Sequence, residues 1–139
     1  MSDNNDSEIQ ALIGAVDIEE ILRGLPGHVY WKDAYSRMLG CNLQQARSFG
    51  FKTIEEIIGK TPEELHLESA AMIRINDRRV IEGGFVQTFE EDGYISKKIP
   101  LKNKHGKVIG ILGVSVDITD YQKTLEEENY TLDNIVAVM

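Results

Sequence analysis

The chain has 139 residues, 42% of them apolar and 27% charged, which fits one globular domain with a modest core. Its net charge of −8 disfavours nucleic acid and anionic membrane as partners, because an acidic surface repels phosphate. No apolar run approaches the roughly 20 residues that cross a bilayer, residues 1–8 are polar and acidic rather than leader-like, and the single Cys41 permits no internal disulfide and fits a reducing, cytoplasmic setting.

After a polar start, Ile9, Leu12, Ile13 and Val16 share one helical face. Ile18, Ile21, Leu22 and Leu25 share another, and the step from Val16 to Ile18 breaks the period, so two helical pieces are expected. Asp17 is the expected N-cap of the second, with Glu20 at N3, and Pro26-Gly27 ends it. Val29–Lys32 and Arg37–Cys41 read as a strand pair turned at Asp33–Ser36. Asn42 caps a short helix over Leu43–Phe49, which Gly50 terminates. Thr53–Glu56 and Thr61–Glu64 are capping boxes separated by Gly59, the second with Pro62 at N1. Glu68–Ile81 is the longest helix expected, stopped by Gly83-Gly84, and Arg74, Arg78 and Arg79 read as its solvated face. Phe85–Glu90, Ile95–Lys102 and Val108–Ile118 are strands joined by turns at Asp92-Gly93 and Asn103–Gly106, an antiparallel meander. This order gives an α+β domain, one sheet with helices grouped on one side.

The last strand ends in Asp117-Ile118-Thr119 and is expected to pass without a loop into a helix running to Met139. Thr119 to Gln122 forms a capping box. From Ile118, steps of three and four give Tyr121, Leu125, Glu128, Leu132, Ile135 and Met139, with Glu128 the one polar member. That is the spacing of a parallel coiled-coil seam, so a homodimer is expected. The layout is an extension over residues 1–17, a domain over 18–119 and a signalling helix over 120–139. Residues 132–139 also echo 18–25, with apolar residues at all four matching positions, which predicts a second, similar domain of the same polypeptide downstream.

Taken together, these segments resemble a PAS sensor domain. The resemblance rests on Val29–Asp33, Arg37–Asn42 and Ile57–Leu65 in the first half. In the second half it rests on Lys98–Leu101, Gly106–Gly110 and Gly113–Thr119. Ser36 departs from the pattern, standing where the family usually has glycine, so a looser first turn is expected. The resemblance implies a five-stranded antiparallel sheet in order 2-1-5-4-3 with short helices over one face, enclosing a small cavity. It also implies an N-terminal helix on the outer face or in a dimer interface.

Period two puts Ile95, Ile99 and Leu101 opposite Ser96 and Lys98. Alternation alone sends the apolar set inward. The resemblance implies the reverse, with Ser96 and Lys98 facing the cavity and Ile95, Ile99 and Leu101 meeting Ile18, Ile21, Leu22 and Leu25. By the same alignment Tyr30, Lys32, Leu39, Cys41, Val86, Thr88 and Ser115 face inward. Two lysines aimed into one cavity require a carboxylate, from the protein or from an acidic ligand, unless their ammonium groups reach solvent.

Light-sensing relatives carry a cysteine on a helix within an Asn-Cys-Arg-Phe-Leu-Gln run; Cys41 lies on a strand and no such run occurs, which argues against flavin. Haem-binding relatives use a histidine on the long central helix, whereas His66 precedes that helix and His28 and His105 sit at turns. No residues have metal-ligand spacing, and no nucleophile–base arrangement marks a catalytic centre. The resemblance therefore implies a non-catalytic sensory and dimerisation module of a bacterial signalling protein, a sensor histidine kinase first and a cyclic-dinucleotide enzyme second. The module is expected to bind a small organic ligand or a partner, with Asp117, Ile118 and Thr119 relaying the signal. The alternative is a ligand-free dimerisation scaffold with a filled core.

Overall fold

The computed structural model describes residues 7, 8, 11, 15, 17–66, 68–119, 122, 123 and 125–127. Its elements are α1 (Ile18–Gly24), β1 (His28–Asp33), β2 (Met38–Cys41), α2 (Leu43–Ser48), a 3-10 turn (Glu55–Ile57), α3 (Pro62–Leu65), α4 (Ala70–Gly83), β3 (Gln87–Glu91), β4 (Tyr94–Lys102) and β5 (Val108–Asp117). The strands form one antiparallel sheet in the order β2-β1-β5-β4-β3. α4 packs against β3, β4 and β5, and α2 against β1, so the helices cover one face. Fold class and strand order are those expected from the sequence.

Local chemistry fixes the joints. The Asp17 carboxylate accepts the Glu19 N–H at 3.0 Å at the start of α1. Asn42 does more than cap α2. Its Oδ1 accepts from Gln45 N–H at 3.0 Å and Val29 N–H at 3.2 Å, while its Nδ2 donates to the Leu25 and Gly27 carbonyls at 3.0 and 2.6 Å. One buried amide thus ties the end of α1 to the starts of β1 and α2. The β3–β4 turn has Asp92 at φ +52° and Gly93 at φ +80°, the mirror-image turn that Asp-Gly favours. The Lys60 carbonyl accepts the Met38 N–H at 2.9 Å, which pairs part of the open edge of β2 and shields it from other strands.

Three expectations are corrected. The first turn is not loose. Ser36 adopts the glycine-like φ of +64° and closes the turn with its N–H on the Asp33 carbonyl at 3.1 Å. Its hydroxyl donates to the Asp77 carboxylate at 2.8 Å, which compensates the left-handed backbone. Second, α1 buries none of its residues, and Ile18, Ile21 and Leu25 stay exposed instead of covering Ile95, Ile99 and Leu101. Third, Thr53–Glu56 opens only a single 3-10 turn; Glu56 still reaches back to the Lys52 N–H at 3.0 Å. The first expected helical piece, over residues 9–16, lies mostly outside the described residues.

β5 leads directly into helical backbone at Ile118 and Thr119. The Ile118 N–H donates to the Gly93 carbonyl at 3.0 Å, and the Asp117 carboxylate accepts the Thr119 N–H at 2.8 Å. The root of the exit helix is therefore bonded to the β3–β4 turn as well as continuous with β5. Of the expected seam, Leu125 is exposed, and Tyr121, Leu132 and Ile135 lie outside the described residues. No helix among the described residues is long and apolar enough to cross a membrane.

Candidate functional site

Between sheet and helices lies a cavity of about 210 Å³. Its floor is polar: Tyr30 and Lys32 from β1, Ser96 from β4, Ser115 from β5 and Glu91 at the end of β3. Its helical side carries Phe49, Pro62, Leu65 and Ile73 beside the polar Gln45 and Ser48; Met38 comes from β2, and His28, His66 and Tyr94 stand half-buried among the lining. The floor is built by strand parity. Tyr30 pairs with Gly113, and a methyl group on Gly113 would fall inside the Tyr30 ring, so this glycine lets the ring lie flat on the sheet. Ser96 pairs with Ser115, and their hydroxyls share a hydrogen bond of 2.6 Å.

Behind the floor lies a buried four-ion network. The Lys98 ammonium, fully buried, donates to Asp77 Oδ1 at 2.6 Å and forms an ion pair with Glu91 Oε2 at 2.7 Å. Lys32 donates to Asp77 Oδ2 at 3.1 Å, and Asn76 donates to Glu91 Oε2 at 2.8 Å. With Ser36, four side chains from β1, the first turn, α4 and β4 converge on Asp77 and Glu91. Moving ions out of water costs several kcal/mol each; here two cations and two anions balance, and no buried side-chain nitrogen or oxygen among the described residues lacks a partner. Burial pushes the Asp77 carboxyl up, but Lys32, Lys98 and the hydrogen bonds outweigh it and hold the group below its ordinary range. Burial pushes Lys32 down despite Asp77. Lys98 goes the other way: burial opposes its charge, yet Tyr30, Asp77 and Glu91 together raise it to about 12. Burial lowers His66, aided by the Lys32 charge and opposed by Asp92, whose carboxylate lies 3.2 Å from Nδ1.

The residues singled out from the sequence separate into three groups. Tyr30, Lys32, Ser96 and Ser115 line the cavity. Lys98 and Cys41 are buried but are not part of the lining: Lys98 lies in the ion network and Cys41 in the apolar core with Tyr30, Met38, Ala46 and Ile57. Burial raises the Cys41 thiol to about 11, so it is unreactive near neutral pH. Leu39 and Thr88, expected inside, are exposed, as is Val86. The β1–β2 register slips between Trp31 and Lys32, so Met38 and Cys41 both pair with inward residues and the extra residue, Leu39, is turned out. Thr88 pairs with Lys97, whose side chain faces solvent, whereas Gln87, Phe89 and Glu91 pair with Lys98, Ser96 and Tyr94.

Asp77, Glu91 and Asn76 were not anticipated. Among arginines, Asp77 reads as part of a solvated face, and Arg74 does pair with exposed Glu63. The available signal was helical period: Ile73, Asn76, Asp77 and Val80 fall at i, i+3, i+4 and i+7, and all four are buried. The carboxylates demanded by the two lysines therefore come from the protein.

Comparison with known proteins agrees with this architecture. A family model described as PAS fold matches residues 22–123. VqmA of Vibrio cholerae is 28% identical, with a TM-score of 0.62, over 76% of this chain and 54% of that one. A VqmA–ligand–DNA complex from the same organism gives 27% identity and a TM-score of 0.64, over 77% of this chain and 53% of that one. The chain thus spans about half the length of the VqmA structures it matches. The PAS domain of Bordetella pertussis BvgS is 22% identical, with a TM-score of 0.59, over 84% of this chain and 95% of that one. No curated protein matches the chain. With the sheet order, the cavity between sheet and helices and a family match across most of its length, the chain belongs to the PAS-fold family and is a sensory domain.

Proposed function

We propose that this domain is the ligand-sensing and dimerisation module of a cytoplasmic signalling protein. A small organic molecule enters the cavity, and its contacts with the floor bias β4 and β5. Asp117, Ile118 and Thr119 pass the bias to the exit helix, which pairs with a second copy along Tyr121, Leu125, Leu132 and Ile135. One observation carries this reading: Ser115 on the cavity floor and Ile118 at the root of the helix lie on one uninterrupted strand-to-helix segment. Any switch is limited by the ligand's differential affinity for the two arrangements.

For the output, the family resemblance points to a sensor histidine kinase, and a sensory-box histidine kinase of Vibrio cholerae has the same fold at 16% identity, with a TM-score of 0.56 over 85% of this chain and 99% of that one. A second reading is a ligand-controlled DNA-binding regulator, favoured by the 27–28% identity to VqmA, which is described in complex with ligand and DNA. In either case DNA contact would belong to another part of the protein, given the net charge of −8 here. Native mass spectrometry of the purified chain tests the module itself. A dimer mass, with a retained small molecule or with fragment-induced thermal stabilisation, supports the proposal. A monomer that takes up no fragment overturns it.

A further inference from the structure

The cavity volume of 210 Å³ equals about seven water volumes of roughly 30 Å³ each, room for a molecule of roughly seven to ten non-hydrogen atoms. Two ions of the network, Lys32 and Glu91, line this space, and their partners Lys98 and Asp77 stand behind them. The charges sum to zero, and both ammonium groups are already held by carboxylates. A ligand carboxylate would add an uncompensated buried charge, as would a ligand ammonium. Asp92 is the other carboxylate of the lining, but it is exposed and bonded to Ser69 at 2.7 Å, so solvent screens it.

The network still offers hydrogen bonds. Lys32 has three N–H donors, and Asp77 is its one hydrogen-bond partner among the described residues. Glu91 Oε2 is ion-paired with Lys98 and accepts from Asn76, and its Oε1 accepts from no described residue. A donor and an acceptor therefore lie on the same floor, across from a helical side where Phe49, Pro62, Leu65 and Ile73 outnumber the polar Gln45 and Ser48.

We infer that the cavity selects an uncharged organic molecule of that size, with a hydrogen-bond donor and acceptor on its polar edge and an apolar opposite face, and rejects carboxylates and amines of the same shape. This rests on the ligand-sensing reading above and names its ligand class. The test uses matched sets on one ring skeleton, such as nicotinamide, nicotinate and 3-picolylamine, with further triplets on other rings. Each is titrated into the intact chain at pH 7 while amide NMR shifts of Ser96 and Ser115 are followed. The carboxamide is expected to bind at least tenfold more tightly than the carboxylate or the amine.

Glu91→Gln leaves the network one carboxylate short, a place that a ligand carboxylate fills by keeping Lys32 protonated, and moves the ratio at least tenfold toward the carboxylate. Lys32→Gln moves it toward the amine. Carboxylate binding as tight as carboxamide binding in the wild-type chain overturns the inference, as does an unmoved ratio in folded variants. The wild-type ratio decides the matter even where a variant fails to fold. Carboxylate binding alone removes the charge inference and leaves ligand sensing standing; binding by no member of any set removes both.

Discussion

Asp77→Asn tests the buried network most directly. The substitution keeps the shape and one oxygen but removes the charge that holds Lys98 at 2.6 Å and Lys32 at 3.1 Å. The network then carries one excess positive charge in a site where both lysines are at most 5% exposed. Breaking a buried pair in this way costs about 3–5 kcal/mol. An independent ceiling comes from letting a lysine lose its proton at pH 7: about 3.4 units below the ordinary 10.4, at 1.36 kcal/mol each, is about 4.6 kcal/mol. The two figures agree, and for a domain of this size they correspond to a fall in Tm of roughly 10–15 °C. Lys32, already pushed down by burial, is the group that releases its proton. Its folded pKa then lies below the unfolded value, so the unfolded chain binds more protons in that window. Stability of Asp77→Asn consequently rises with pH up to the ordinary lysine range. Urea denaturation followed through the single, buried Trp31 measures this. Adding Lys32→Met restores neutrality and is expected to recover about 1–2 kcal/mol. A loss below about 1 kcal/mol for Asp77→Asn, or no recovery in the double variant, refutes the reasoning.

Ser36→Ala loses the hydroxyl bond to Asp77 and keeps a Cβ at φ +64°, and is expected to cost about 1–3 kcal/mol. Ser36→Gly relieves the backbone and should cost about 1 kcal/mol less in the same assay; equal losses would show that strain plays no part. Gly113→Ala forces the Tyr30 ring off the sheet, with an expected cost of about 1–3 kcal/mol and displaced Tyr30 ring resonances. Asp117→Ala removes the acceptor of the Thr119 N–H, so amide exchange at Thr119 accelerates by an amount matching about 1 kcal/mol, while exchange in the sheet is unchanged. In acid, the depressed Asp77 carboxyl contributes stability that is present above its unfolded pKa of about 3.9 and lost as pH falls through the lower folded value. Asp77→Asn should therefore flatten the stability profile below about pH 4.

The fold was legible because its signals are local. Asp92-Gly93 fixes a two-residue turn, Asn42 a helix start, and Gly84 a helix end with φ +71°. The lining was partly legible: period two along β4 separates Ser96 and Lys98 from Ile95 and Ile99, but the choice of inner face came from the family resemblance. Thr88 shows how a correct turn went unused. With Asp92 and Gly93 as the turn, Glu91 must face Tyr94, and counting back puts Phe89 and Gln87, not Thr88, on the Ser96 side. Leu39 was not legible, since a bulge is a property of the pairing and not of either strand alone. Asp77 was hidden for a different reason. A charged residue is buried only when its partners are, and those partners come from strands 45 and 21 residues away.

The Ile118–Gly93 hydrogen bond bears on how this domain can be joined to foreign effectors. A fusion made downstream of residue 119 inherits the knot between hairpin tip and exit rod, whereas one made upstream of residue 117 discards it. Receptors assembled by the first route keep the point where the chain leaves the sheet pinned to the β3–β4 turn.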